Sequence, residues 1–217
     1  MSGAIPELDF LFDGPPGPRE IVLTHGAGAP MDSALLSAIA AGLAAKGHRV
    51  ARFEFPFMAA RQQTPDRKPP PDRMPVLIAH WQTAIAALGL PAGLIIGGHS
   101  MGGRVASMIA DEIGAKGLVC LAYPFHPPRK PDELRTAHLL NLRTPSLIIQ
   151  GERDPFGTPD EVAGYGLSPA ISLHWLGDGD HQLKPRVRSG FTVEAHHASA
   201  VAAIDSFANT SCNTAPT

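Results

Sequence analysis

The fold is decided by the stretch Ile95-Ile96-Gly97-Gly98-His99-Ser100-Met101-Gly102-Gly103-Arg104. This stretch predicts a buried strand, one sharp turn and the start of a helix. Its central five residues, from Gly98 to Gly102, match the pattern G-x-S-x-G of a nucleophile elbow. A serine in so tight a turn crowds the residues two positions away, where only glycine fits without a clash. Ser100 would also lie at a helix N-terminus, where free N–H groups favour developing negative charge.

The rest of the chain must support this motif, since such a pentapeptide arises by chance in roughly a tenth of chains of this composition. Strands are predicted over residues 8–12, 21–24, 50–55, 94–98, 117–123, 145–150 and 171–176. Helices are predicted over residues 31–46, 74–90, 104–113, 160–165 and 193–207, with one helical turn near Leu134. This alternation predicts the α/β class, with a mostly parallel sheet of about six or seven strands and helices on both faces.

Composition limits the classes of partner. The 217 residues, 44% hydrophobic and 18% charged, predict one globular domain over residues 1–207 and a polar, disordered tail over 208–217. The net charge of −2 argues against a nucleic-acid partner. Cys120 and Cys212 give neither a disulfide framework nor zinc spacing, which favours a cytoplasmic protein. No signal-peptide pattern and no membrane-spanning run is visible, so we expect no membrane partner, and a monomer or homodimer.

Three loops that follow predicted strands carry residues suited to nucleophilic catalysis. Ser100 follows one strand, Asp154 the next but one, and His181 the last. In a parallel sheet these loops meet at the carboxyl edge of the strands, where ligands bind. A histidine removes the serine proton near neutral pH, and a carboxylate fixes the tautomer of its imidazole ring. Asp178 and Asp180 are alternative acids, although each lies too near His181 in sequence for easy pairing.

A fourth loop offers hydrogen-bond donors for an oxyanion. It reads His25-Gly26-Ala27-Gly28 and follows an early strand. The backbone N–H groups of Ala27 and Met101 are the two predicted donors. The loop does not match a dinucleotide-binding fingerprint, because Met31 stands where the third glycine is needed. We therefore expect no cofactor.

Several other polar residues have plain structural interpretations. We expect His25 to shape its loop and His99 to pack beside the elbow. His196 and His197 lie in a predicted helix without further ligands, so metal binding is not expected. The proline-rich stretch 56–75 is predicted to be a long loop, which in a compact domain is typically functional or mobile. Its basic side chains are predicted to form a solvated face: Arg61, Arg67 and Lys68.

The motifs together resemble those of a small α/β-hydrolase without a cap domain. The resemblance rests on residues 24–28, on the elbow, on Asp154 within Gly-x-x-Asp-Pro-Phe-Gly and on residues 178–181. Residues 55–58, 123–128 and 181–185 are similar to one branch, which holds the testis-expressed and NSL complex subunit 3 hydrolase-like proteins and their bacterial relatives, near the dienelactone hydrolases. The order Ser, Asp, His is that of the α/β-hydrolases.

This resemblance implies a serine hydrolase acting on a small ester-like substrate through an acyl-enzyme. Some members of the branch have lost the triad and act as scaffolds, so a non-catalytic interaction protein is the alternative. Without a cap, the loops at the carboxyl ends of the strands would select the substrate. The predicted pocket residues are Phe57, Met58, Phe125 and His126.

Overall fold

The computed structural model describes residues 8–16, 20–64, 66, 68–89 and 94–213, without the side chains of 212 and 213. Its centre is a seven-stranded sheet in the order β1-β3-β2-β4-β5-β6-β7. The edge strand β1 is antiparallel to β3, and all other neighbours are parallel. The strands are β1 (Phe10–Asp13), β2 (Glu20–Thr24), β3 (Arg49–Phe53), β4 (Ile95–His99), β5 (Gly117–Leu121), β6 (Ser146–Gly151) and β7 (Ile171–Leu176).

Helices cover both faces of the sheet, and the alternation of side chains along β2 shows how. Ile21 and Leu23 belong to the core on one face of the sheet, whereas Val22 between them belongs to the core on the other face. Both cores are apolar because a parallel sheet is buried on its two faces. The helices are α1 (Ala34–Ala45), α2 (Pro56–Gln63), α3 (Met74–Leu88), α4 (Met101–Ile109), α5 (Pro159–Val162) and α6 (Val193–Asn213).

The predicted loop over residues 56–75 is wrong in its first half, where α2 lies. Pro56 occupies the first turn of this helix, a position at which its fixed φ angle is favourable and its missing N–H costs nothing. Phe57 and Met58 then enter the core, so burial of apolar surface holds the helix in place. Arg67, predicted to be part of a solvated face, lies outside the described residues.

The terminal helix and one short turn also differ from prediction. Helix α6 continues to Asn213 instead of ending at Phe207, because Ala208 still packs in the core and is 1% exposed. Residues 214–217 of the predicted tail lie outside the described part of the chain. The turn expected near Leu134 is a 3₁₀ helix at Ala137–Asn141, anchored by the fully buried Leu139. A second 3₁₀ turn spans Val187–Ser189.

This topology brings the four candidate loops to one edge. The loops after β2, β4, β6 and β7 all leave the carboxyl ends of parallel strands. The connection from β5 to β6 contains only the first 3₁₀ turn, so no additional domain is inserted above the edge there. Among the helices described, none combines the length and hydropathy needed to cross a bilayer.

Candidate active site

Ser100 occupies a strained turn between β4 and α4. Its φ and ψ angles are 51° and −115°, a conformation that non-glycine residues seldom adopt. A Cβ atom added to Gly98 would lie 2.3 Å from the carbonyl oxygen of Thr24, and one added to Gly102 would lie 2.6 Å from that of His25. The two glycines are therefore required by the close approach of the β2 loop. The turn is further held by the Ser100 N–H, which donates to the carbonyl of Leu121 at 2.8 Å.

A continuous chain of hydrogen bonds links the serine to a buried carboxylate. His181 Nε2 lies 2.8 Å from Ser100 Oγ, and His181 Nδ1 lies 2.8 Å from Asp154 Oδ2. Because ionised Asp154 can only accept, Nδ1 carries a proton and Nε2 is free to accept from the serine hydroxyl. Residues that are 81 and 27 positions apart in the chain thus form the arrangement a serine nucleophile requires.

Asp154 is held in a single orientation. Its side chain is 0% exposed. Oδ1 accepts from the Phe156 N–H at 2.9 Å, and Oδ2 accepts from Gln150 Nε2 at 3.0 Å. These two donors leave one lone-pair direction of Oδ2 for His181. Gln150 was not predicted, and its position four residues before Asp154 on β6 gave no distinct signal.

The alternative acids have other partners. Asp178 pairs with Arg153 and Arg186, and its hydrogen bonds to Arg186 lower its carboxyl pKa to about 2. Asp180 Oδ1 accepts from the N–H groups of Gln182 and Lys184, at 2.8 and 3.0 Å. Both carboxylates therefore shape the loop around His181 instead of contacting its ring.

The loop after β2 presents free N–H groups beside the serine. The amides of Ala27 and Met101 have no acceptor within the described residues, and both residues are partly exposed. His25 fixes the loop from below: its Nδ1–H donates to the Gly26 carbonyl at 2.6 Å, and its Nε2 accepts from the Phe55 N–H at 3.0 Å. This pattern needs a neutral ring, and burial lowers the pKa of His25 to about 4.

The prediction that Arg61 belongs to a solvated loop face is wrong. Its Nη1 donates to the carbonyl of Ala27 at 2.7 Å and its Nε to that of Pro69 at 2.8 Å. Its guanidinium also lies over the Phe57 ring, 4.9 Å from the centroid. Arg61 therefore connects α2 to the loop that carries the Ala27 amide. Lys68, by contrast, is exposed.

Two further aromatic rings contact His181. Phe156 stacks on the imidazole with 4.1 Å between centroids and 29° between planes. His99 Nε2–H donates to the backbone carbonyl of His181 at 2.9 Å, and burial lowers the pKa of His99 to about 4. A Cβ on Gly26 would lie 2.9 Å from His99 Nδ1, so His99 fills the space between the two loops. Sequence reasoning assigned His99 to packing alone and overlooked Phe156, although it lies two residues after Asp154.

The four predicted pocket residues lie beneath the surface, which corrects the expectation that they present a wall to ligand. Their exposed fractions range from 0% for Phe125 to 5% for Met58. Phe57 packs against His25, and Phe125 packs against Tyr123. All four side chains therefore pack on the interior side of the loops. None of the four lines the cavity of about 340 Å³ that opens beside α2.

Comparison with known proteins gives one family and several similar structures. A family model described as an alpha/beta hydrolase domain matches residues 18–209. The esterase domain of a Rhodothermus marinus protein is 15% identical at a TM-score of 0.66, over 94% of this chain and 98% of that one. A Xanthomonas campestris serine hydrolase without a lid is 18% identical at 0.66, over 96% and 91%. Est1E from Butyrivibrio proteoclasticus is 12% identical at 0.69, over 95% of both chains.

Proposed function

Because the chain belongs to the alpha/beta hydrolase domain family, we propose that it is a serine hydrolase that cleaves a carboxylic ester or thioester through an acyl-enzyme. The predicted fold class, an α/β-hydrolase with a mostly parallel sheet and no cap, is confirmed by the family match and the lid-less neighbour. One observation carries the proposal: Ser100, His181 and Asp154 are joined by two hydrogen bonds of 2.8 Å.

In the first step, Ser100 Oγ attacks the carbonyl carbon of the substrate while its proton moves to His181 Nε2. The carbonyl oxygen becomes an oxyanion. The N–H groups of Ala27 and Met101 are the donors proposed to stabilise it, a contribution worth about 3–4 kcal/mol per donor in other hydrolases. Asp154 stabilises the imidazolium that forms. The proton on Nε2 then passes to the leaving alcohol or thiol as its bond to carbon breaks.

In the second step, a water molecule takes the place of the leaving group. His181 removes a proton from this water, which attacks the acyl carbon, and the bond to Ser100 Oγ breaks as Oγ regains its proton. The free acid leaves and the initial state returns. No redox or metal chemistry is needed in this sequence. In the described residues, no cluster of three or more His, Cys, Asp or Glu side chains is arranged to hold a metal ion.

An activity-based fluorophosphonate probe tests the proposal directly. The wild-type protein should be labelled covalently, and Ser100→Ala should not. Alanine removes only the hydroxyl, so the variant should retain its fold, which a melting curve checks. Loss of the nucleophile in other triad enzymes lowers kcat by about a millionfold, with a residual rate from the oxyanion donors. A folded wild-type protein that neither reacts with the probe nor hydrolyses any ester in a panel of acyl chain lengths would contradict the proposal.

The finer assignment to the NSL complex subunit 3 branch, near the dienelactone hydrolases, belongs to the same proposal. Members of that branch without a triad act as scaffolds. In this chain the serine is partly exposed and hydrogen-bonded to its base, which favours catalysis over a purely structural role. The open edge of the sheet further favours a small ester-like substrate of short acyl chain.

A further inference from the structure

Two arginines lie beside the elbow without a carboxylate partner in the part of the chain that the structure describes. Arg104 is on α4, and Arg135 is in the connection between β5 and β6. The Ser107 hydroxyl donates to the Arg104 carbonyl at 2.7 Å, and the Tyr123 hydroxyl donates to the Arg135 carbonyl at 3.1 Å. His138 joins these two contacts, because its Nε2 lies 2.8 Å from Ser107 Oγ and 3.4 Å from Tyr123 Oη. We call Arg104 and Arg135 the arginine pair.

The arginine pair has no close carboxylate among the described residues. Neither side chain forms an ion pair within the described residues, and Arg104 Nε is buried without a hydrogen-bond partner. The carboxylate nearest in sequence to Arg135, that of Glu133, pairs with Lys130 at 2.7 Å. Burial and the charge of Arg104 both lower the pKa of His138. An unpaired buried donor is rare in folded proteins, because its desolvation is costly.

The pair lies close to the nucleophile. The Arg104 N–H donates to the Ser100 carbonyl at 3.0 Å, so the two residues are one helical turn apart, about 5 Å. Side chains of a helix tilt toward its N-terminus, which directs Arg104 back toward the elbow. The Arg135 N–H donates to the Phe125 carbonyl at 2.7 Å, and this fixes Arg135 beside the loop that follows β5. Both arginines are partly exposed and thus accessible to a ligand.

We propose that the arginine pair, whose Arg104 lies one helical turn along α4 from Ser100, is a subsite for an anionic group of the substrate, a carboxylate or a phosphate. The planar guanidinium forms two parallel hydrogen bonds with either group. This inference rests on the proposed hydrolase function and narrows its substrate to an ester or thioester that carries a negative charge on a short chain.

The test compares two substrates that differ only in charge. One is 4-nitrophenyl hydrogen adipate and the other is its methyl ester, and the spontaneous rate is subtracted with Ser100→Ala. For the wild type we expect kcat/KM to favour the acid by about ten- to a hundredfold, the range for charge-assisted hydrogen bonds. Arg104→Met and Arg135→Met, changes on two separate elements, should each bring this ratio near one. Arg143→Met is the matched control, since that side chain is 84% exposed, and it should leave the ratio unchanged.

The outcomes separate the subsite from the hydrolase. If the methyl ester is cleaved but the wild-type ratio is near one, the subsite is wrong and the hydrolase stands. If neither ester is cleaved, calorimetric titration of the wild type with adipate and with inorganic phosphate decides. Binding of either anion that Arg104→Met weakens at least tenfold supports the subsite without catalysis, and the tighter anion identifies the group. Absence of binding to both overturns it.

Discussion

Asp154→Asn is the most informative single substitution, because the structure dictates how the new amide must sit. If its oxygen faced His181, its NH₂ would face the N–H of Phe156, which now donates to Oδ1, and two donors would clash. In the reverse orientation the NH₂ faces His181 and Gln150. Gln150 Nε2 would then have to shift away from the new amide, which a side chain with further bonds of 3.3 Å to the carbonyls of Tyr123 and Gly157 can do, whereas the backbone N–H of Phe156 cannot move.

The reverse orientation is therefore favoured, and it disables the base. His181 Nδ1 must accept from the new amide, so its proton moves to Nε2 and faces Ser100 Oγ, which can no longer give up its own. The equivalent change of tautomer in another serine hydrolase costs about 10⁴ in kcat. This corresponds to about 5.5 kcal/mol of transition-state stabilisation. We expect the same order of loss here for hydrolysis of 4-nitrophenyl butyrate, together with a similar loss in the rate of fluorophosphonate labelling.

The matched control for this experiment is Asp178→Asn. Asp178 lies three residues before His181 without contacting its ring, and asparagine tolerates the left-handed backbone at this position, where φ is 56°. Its activity should stay within about threefold of wild type, because asparagine keeps a side-chain oxygen that can accept from the Arg186 N–H, which now donates to Asp178 Oδ2 at 2.8 Å. Asp154→Asn retaining more than a tenth of the wild-type kcat would refute the reasoning. If only Asp178→Asn is severely impaired, Asp154 is the wrong carboxylate and Asp178 is the acid of the triad.

Three other predictions concern the support of the site. Lowering the pH should destabilise the fold, because the folded-state pKa values of His25 and His99 are about 4, below the unfolded value of 6.5. The stability that these neutral rings contribute is complete above pH 6.5 and is lost as the pH falls toward 4. The free energy of unfolding measured in urea should therefore be lower at pH 5 than at pH 7 by about 2 kcal/mol for each histidine. His99→Asn should reduce that difference. A wild-type protein that is equally stable at both pH values would contradict the lowered pKa values of the two histidines. Arg61→Met should lower kcat about tenfold with little change in KM, since it frees the carbonyl of Ala27 and loosens the loop that carries the Ala27 oxyanion donor. An unchanged kcat would show that Arg61 does not position this donor. Gly102→Ala should lower the free energy of unfolding by about 1–3 kcal/mol, because its Cβ would lie 2.6 Å from a backbone oxygen. An unchanged denaturant midpoint would show that the loop after β2 can move to accommodate the new methyl group at no cost in stability.

The elbow could be predicted from sequence because its causes are local. Glycines two positions either side of Ser100 report a close backbone approach, and the structure shows that approach at Thr24 and His25. The strands could be predicted equally well, since a parallel strand that is buried on both faces has a short apolar sequence, as in β6. The chain order then brought Ser100, Asp154 and His181 to one edge without any knowledge of distances.

What sequence could not provide was the choice of partner for long polar side chains. Arg61 and Arg104 are both arginines on helices, yet one donates to a backbone carbonyl 34 residues away and the other has an unpaired Nε. Local pattern carries no information on such distant contacts. Helix α2 was missed for a related reason: many prolines suggest a loop, but Pro56 at the first turn and the burial of Phe57 and Met58 outweigh that tendency.

The separation of the serine from its base along the chain also affects how the protein matures. The strained turn at Ser100 is completed by β5, through the Leu121 carbonyl, well before His181 exists on a growing polypeptide. His181 reaches the serine only after β6 and β7 have paired, which closes a contact over 81 residues. Such long-range parallel pairing is slow compared with local structure. Covalent labelling of Ser100 would therefore report completion of folding, and ribosome-bound chains that stop before β7 should remain unreactive even with the elbow formed.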